Sequence, residues 1–420
     1  MKLLIKIPFL LCFLIIIGSS NKEQVCIISG SVIDRPESKV LLLAKAFDDL
    51  RSSEIIKIPI IEGKFTYELN YSNIEVYMLV FDEEHTAGAW KEHHFFPTNG
   101  KIDITLYRQE KETENEYIGG QENENHKAYK EEFHPKEEQF YDFYELKFDS
   151  LAGIDQYYSD TAKTIKKLLN QAVDYEEEKK YHLALSSLYQ KELHLSKEAK
   201  AINDELKEGI KEINAQKLSF LEEKPSIATY FLLTRCIYQN KKHSEYYNDD
   251  DLERLEKKFM SIYADHPYTH QLLQIESAVK IGGKYQDFNL PDITGQQYQL
   301  SNELKGKYAI IDIWAPWCGP CLKKSKALKT TYDEYKDKGF QVIGVASKYH
   351  KIDDVQKILE KEQHPWVTLI DEPDWKSEIN FKYDILNAGG VMVFTDSEGK
   401  IMAINPSMEH IREVLAKNLD

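Results

Sequence analysis

From about Val25 to Arg108, apolar and polar residues alternate with period two. Phe65, Tyr67 and Leu69 share a face after a Glu62-Gly63 turn, and Val76, Met78 and Val80 repeat the pattern. Asn99-Gly100 then launches Ile102, Ile104 and Leu106. Short alternating runs parted by Gly-containing turns predict a small antiparallel β domain. Gln109 to Asn125 is acidic and polar around Gly119-Gly120, and reads as a linker. The period then changes. Between Pro135 and Pro225 there is no proline, and the glycines are Gly153 and Gly209. Ile165, Leu168, Leu169 and Ala172 have the spacing of an amphipathic helix, with similar stripes over Leu183–Leu195 and Ile202–Ile213. Ile227–Tyr238 and Asp251–Tyr263 predict further helices, and the Glu/Lys runs are their solvated faces.

Past His266-Pro267-Tyr268 and the Gly282-Gly283 pair, strand and helix patterns alternate. Tyr308–Trp314, Gln341–Ala346 and Trp366–Ile370 read as strands. Leu322–Lys338, Asp353–Glu362 and Met408–Leu419 read as helices. Such alternation predicts a mostly parallel α/β layer structure. The expected organisation is a leader over 1–20, the β domain over 21–110, linker and helices over 111–280, and the α/β domain over 281–420.

At 420 residues, 42% hydrophobic and 12% aromatic, the chain has ample material for packed cores, which excludes global disorder. Net charge is −16, with no Lys/Arg block able to grip phosphates, so no nucleic-acid partner is expected. Lys2 and Lys6, the apolar run Ile7–Ile17 and the small residues Gly18-Ser19-Ser20 read as an export signal cleaved before Asn21. The run is short for a membrane span, and an uncleaved anchor is the alternative. Neither Cys12 nor Cys26 follows the small residues that a lipoprotein cysteine needs. Export implies an oxidising compartment for Cys26, Cys236, Cys318 and Cys321. Cys26 and Cys236 fall in apolar segments and read as buried free thiols, with a long-range bridge between them as the alternative. His85 and the pair His93-His94 read as surface loop residues rather than metal ligands.

The densest chemistry is Trp317-Cys318-Gly319-Pro320-Cys321, which follows the strand Tyr308–Trp314 and the turn Ala315-Pro316-Trp317. Cys318 then stands at a helix N-terminus, where the macrodipole and unpaired N–H groups favour a thiolate. Cys321, one helical turn on, can close a disulfide with it. A lone Cys-x-x-Cys is also half of a zinc site, but zinc needs two more ligands at comparable spacing. No second pair exists, and the nearest histidine, His350, is far along the chain. No metal and no cofactor are expected.

Trp-Cys-Gly-Pro-Cys after an apolar strand resembles the thioredoxin active-site pattern. The surrounding residues resemble the TlpA-like and AhpC/TSA-like envelope thioredoxins: Phe288-Asn289-Leu290-Pro291-Asp292, Gly295, Leu300, Gly306-Lys307, Asp312-Ile313-Trp314-Ala315 and Val393 to Ile401. The resemblance implies a multidomain protein: an N-terminal antiparallel β-sandwich, a central all-α region and a C-terminal α/β thioredoxin fold. It implies a periplasmic or envelope enzyme acting on disulfide-bearing protein substrates and re-reduced by a membrane or envelope thiol electron donor. Cys318 would attack the substrate disulfide, and Cys321, buried and protonated, would resolve the mixed disulfide. Asp312 matches the buried thioredoxin carboxylate that exchanges a proton with the second cysteine, although an Asp there can also merely cap a backbone group or meet a lysine. Trp314 and Trp317 would pack around the pair and form an apolar rim. Trp317, Gly319, Pro320 and Gly390 are the expected substrate contacts, and Gly319-Pro320 matches the reducing members.

Two departures stand out. Where thioredoxins place a cis-proline facing the cysteines, counting back from Asp396 gives Gly390, after Asn387-Ala388-Gly389. Lys324 and Lys326 replace the Glu and Pro usual in TlpA-like proteins. Two other readings compete. A peroxiredoxin-like peroxidase requires Pro-x-x-x-Thr-x-x-Cys, but Ile311 and Ala315 occupy those positions. An envelope binding or scaffold module would give the leading role to the β and helical regions.

Overall fold

The computed structural model describes residues 23–420, apart from 49, 51–54, 243–245, 277, 350, 372–376, 378, 386 and 387. The export stretch with its cleavage point at Asn21, Cys12, His350 and Asn387 lie outside the described residues. No helix among the described residues is long and apolar enough to cross a membrane.

The period-two segment forms β1 (Gln24–Val32), β2 (Val40–Lys45), β3 (Ile56–Pro59), β4 (Lys64–Tyr71) and β5 (Tyr77–Phe81). The short helix α1 (Asp82–Ala87), β6 (His93–Phe95), β7 (Gly100–Leu106) and β8 (Glu116–Ile118) follow. They build two four-stranded sheets, ordered β4-β1-β7-β8 and β3-β2-β5-β6. Alternation sends Ile28, Leu69 and Ile104 of the first sheet and Leu41, Leu79 and Phe95 of the second into one shared core. Every ladder is antiparallel except β1–β7, which is parallel.

Two expectations need correction here. The acidic stretch after Leu106 is not a linker: β8 pairs with β7, and a long helix begins at Gln121. Nor are His93 and His94 loop residues. They lie in β6, only 6% and 9% exposed, with His93 edge-on to Phe81 and His94 edge-on to Phe231. In both places polar composition concealed sheet pairing, because a three-residue strand carries too little alternation to register.

The helical region comprises α2 (Gln121–Gly153), α3 (Asp160–Asn170), α4 (Tyr175–Gln190), α5 (Lys197–Glu223), α6 (Ile227–Lys242), α7 (Asp249–Ile262) and α8 (Pro267–Glu276). Helix α2 runs through Pro135. Side chains of Ser159, Asp174, Ser196 and Asn248 accept backbone N–H groups and start α3, α4, α5 and α7. Leu221, Phe231, Leu255 and Phe259 pack with Val76 and Phe96, so these helices share a core with the second sheet. The Val76 amide donates to the Tyr268 hydroxyl at 2.7 Å across that contact.

The C-terminal part contains the hairpin β9 (Asn289–Pro291) and β10 (Gln297–Gln299), α9 (Leu300–Leu304), β11 (Tyr308–Trp314) and α10 (Gly319–Tyr335). It continues with β12 (Phe340–Ala346), α11 (Ile352–Glu362), β13 (Thr368–Ile370), α12 (Ile379–Lys382), β14 (Gly390–Thr395), β15 (Ile401–Ile404) and α13 (Met408–Leu419). The sheet order is β13-β12-β11-β14-β15. The first three strands are parallel, while β14 and β15 pair antiparallel, so the sheet is mixed rather than mostly parallel. The short turn between β14 and β15 permits only a hairpin. Central β11 is covered on both faces, which explains its nearly unbroken apolar run. Ile311 and Ile313 pack toward Leu300 and Ile379, whereas Ile310 packs toward Leu328 and Ile411. Asp312 falls in the same alternating set as Ile310, on the α10 side.

Candidate functional site

The site is assembled where β11 ends and α10 begins. The turn is closed by Cys318 N–H donating to the Ala315 carbonyl at 2.9 Å and Gly319 N–H donating to that of Trp317 at 3.2 Å. Cys318 is the N-cap of α10, and Pro320 occupies its first turn, where a missing N–H costs nothing. Leu322 N–H donates to the Cys318 carbonyl at 3.1 Å, starting the helical ladder. Cys318 and Cys321 are joined as a disulfide, with Cα atoms 5.3 Å apart. Both cysteines are half-buried, so Cys321 is less enclosed than expected. It packs beside Trp314, Ala346, Val355 and Ile370.

Asp312 is 2% exposed, paired in the sheet between Gly344 and Met392. Burial raises its carboxyl pKa to about 7, against the weaker opposing influence of the Ser325 hydroxyl and the Lys324 charge. Its Oδ2 has no hydrogen-bond partner. Buried Ser325, on the next turn of α10, donates to the Cys321 carbonyl at 3.1 Å. A hydroxyl four residues after the second cysteine is a visible signal for that contact, and it had no place in the sequence reading.

The two tryptophans separate. Trp314 is fully buried beneath the pair and cannot form a rim. Trp317 is 37% exposed, and its indole N–H donates to the Lys348 carbonyl at 2.9 Å, so it alone offers an apolar edge. Gly319 faces open space. Of the two glycines at the start of β14, Gly389 is the one whose Cβ would point at Cys318. A Cβ on Gly389 would stand 2.6 Å from the Cys318 Cβ and 2.8 Å from its sulfur. Gly390 lies one residue on, opposite Trp314 in the β11–β14 ladder, where a Cβ would meet the Ile313 carbonyl oxygen at 2.1 Å. The pleat turns successive residues to opposite faces, so the two positions meet different neighbours.

Ile311 and Ala315 are buried and apolar, and neither supplies a hydroxyl to the cysteines. Cys26 and Cys236 are buried free thiols in separate cores, not bridged.

Residues 280–409 match the Redoxin family. The chain is 27% identical over 134 residues to the thiol-disulfide oxidoreductase ResA of Geobacillus thermodenitrificans, covering 31% of this chain and 71% of that protein. With the ResA of Geobacillus kaustophilus it shares 29% over 99 residues, 24% of this chain and 56% of the relative. A solved thioredoxin domain of a thiol-disulfide oxidoreductase from Bacteroides vulgatus is 26% identical, with a TM-score of 0.31, covering 34% of this chain and 100% of that one. The matched region contains the strand, the cysteine pair and the buried carboxyl described above, and these matches support a thioredoxin-superfamily oxidoreductase over this C-terminal part.

Proposed function

We propose that the chain is an exported thiol–disulfide oxidoreductase that reduces protein disulfides through Cys318 and Cys321. The observation that carries this reading is a cysteine pair with its first member at the N-cap of α10 and a buried carboxyl of raised pKa on the strand beneath. The reduced enzyme's Cys318 thiolate attacks one sulfur of the substrate disulfide. The other sulfur leaves as a thiolate and is protonated. Cys321 gives its proton to the Asp312 carboxylate and attacks the Cys318 sulfur. The second substrate thiol is released, and the enzyme keeps the Cys318–Cys321 disulfide until an external dithiol donor reduces it. Trp317, Gly319, Pro320 and the backbone at Gly389-Gly390 are the proposed docking edge.

The same reading divides the chain into a β-sandwich from 21 that runs past 110 to include β8, helices from α2 up to 280 and a thioredoxin-like domain over 281–420. It places the mature protein in the periplasm or cell envelope, on the strength of Lys2, Lys6, the apolar run and Gly18-Ser19-Ser20. N-terminal sequencing of the envelope fraction should begin at Asn21. An intact Met1 in a cytosolic fraction contradicts the location. For the chemistry, a Cys321→Ala variant should accumulate mixed disulfides with substrate proteins through Cys318. Absence of any reducible adduct under oxidising conditions would contradict the proposed order of attack.

A further inference from the structure

Helix α2 presents His126, Lys130 and His134 at intervals of four residues, and therefore on one face. That face, with α6 and the β6 side of the second sheet, encloses a cavity of about 1250 Å³. A second cavity of about 720 Å³ shares Glu92, His94, His126, Lys130 and His134 with it. Arg235 reaches the larger cavity from α6.

The cations around this space are unevenly matched. Lys217 is paired with Glu137, and His94 with Glu92 at 3.0 Å. Lys130, Arg235, His126 and His134 have neither a hydrogen bond nor an ion pair with any described residue; Lys130 lies over the Tyr117 ring and feels the Glu112 charge, and Arg235 lies over the Phe231 ring and acts on Glu92 through space. His126 is 7% exposed and lines both cavities. Burial holds the ordinary charge of these groups down: the pKa values of Lys130, His94 and His126 are all lowered, with burial the largest cause in each. Arg235 and His134 are exposed, but His126 is buried and Lys130 half-buried, and donors held away from water around a concave site point to a missing acceptor, since burying them unpaired is costly. A metal does not fit, because no group of three or more His, Cys, Asp or Glu residues able to hold one occurs among the described residues.

Phe47, Trp90, Tyr129, Phe231 and Tyr247 supply an aromatic wall to the same cavity. We propose that this cavity is a binding site for a small aryl carboxylate, its ring against the aromatic wall and its carboxylate on Lys130, Arg235 and His126. Glu92, Glu137 and Asp48 also line the space, which favours a monoanion over a dianion. A planar carboxylate suits the guanidinium fork of Arg235. The site lies on elements that include neither cysteine of the redox pair, so its occupancy does not depend on the proposed disulfide chemistry.

The test is isothermal titration of the oxidised full-length chain with 2-naphthoate, its neutral isostere 2-naphthalenemethanol and 2-naphthyl phosphate. The acid should bind about tenfold or more tightly than the alcohol, and more tightly than the phosphate. Lys130→Met and Arg235→Met should each abolish the preference for acid over alcohol while leaving alcohol binding unchanged, which also reports that the cavity is intact. Equal binding of acid and alcohol by the wild type overturns the proposal, as does a preference that survives both substitutions. Tighter binding of the phosphate overturns the carboxylate assignment.

Discussion

Gly389 is packed against Cys318 so closely that no side chain fits between them: an added Cβ would come within 2.8 Å of the cysteine sulfur. The Trp317 ring closes the same space, 3.0 Å from that position. Gly389→Ala therefore must displace either the cysteine turn or the start of β14. Overpacking of this kind costs about 1–3 kcal/mol. We expect the oxidised variant to lose stability in that range by urea unfolding, and its disulfide exchange to slow. Gly319→Ala, facing open space, should change stability by less than about 0.5 kcal/mol. Equal effects of the two substitutions would show that Gly389 is not a packing constraint.

Asp312 makes stability depend on pH in a direction opposite to that of a salt-bridged carboxylate. Its native pKa, about 7, lies above the ordinary 3.8, so the folded state holds the proton more tightly than the unfolded chain. Stability contributed by the protonated group is fully present below about pH 4 and is lost as pH rises through about 7. At about 1.4 kcal/mol per pKa unit, the full loss is about 4 kcal/mol. Asp312→Asn should therefore be more stable than wild type at pH 8, with a gap that closes toward pH 4. Its dithiol exchange should lose the inflection near pH 7 and slow by on the order of 10²-fold. A pH-independent stability difference between the two proteins contradicts a buried, titrating Asp312.

Cys26 and Cys236 sit in different cores, and burial raises both thiol pKa values. A thiol without thiolate character reacts slowly. The native oxidised protein beginning at Asn21, and so without Cys12, should show no fast-reacting thiol with a chromogenic disulfide reagent. After denaturation, the same assay should count these two. Rapid labelling of either in the native state would contradict the packing described.

Much of the C-terminal fold was legible because its signals are local. The strand at Tyr308–Trp314 and the helix at Met408–Leu419 have the same bounds in sequence and structure, since both are apolar patterns long enough to show their period. Cys318, Cys321 and Asp312 were also legible, because motif spacing fixes them relative to that strand. Contacts that depend on tertiary neighbours were not. The close approach of Gly389 to Cys318 depends on how the start of β14 meets the cysteine turn, and the parallel β1–β7 pair joins segments far apart in the chain. The buried faces of His93 and His94 are set by the packing of Phe81 and Phe231 against them. The spacing of His126, Lys130 and His134 is visible in the sequence, but the cavity they line exists only once α6 and the second sheet close around it.

The most direct measurement of the central claim is the rate of insulin disulfide reduction by the full-length chain with excess dithiol, compared with its Cys318→Ala variant. The wild type should accelerate reduction over the dithiol background, and Cys318→Ala should return the rate to that background while unfolding like the reduced wild type. Undiminished catalysis by Cys318→Ala would contradict the assignment of Cys318 as the attacking thiolate.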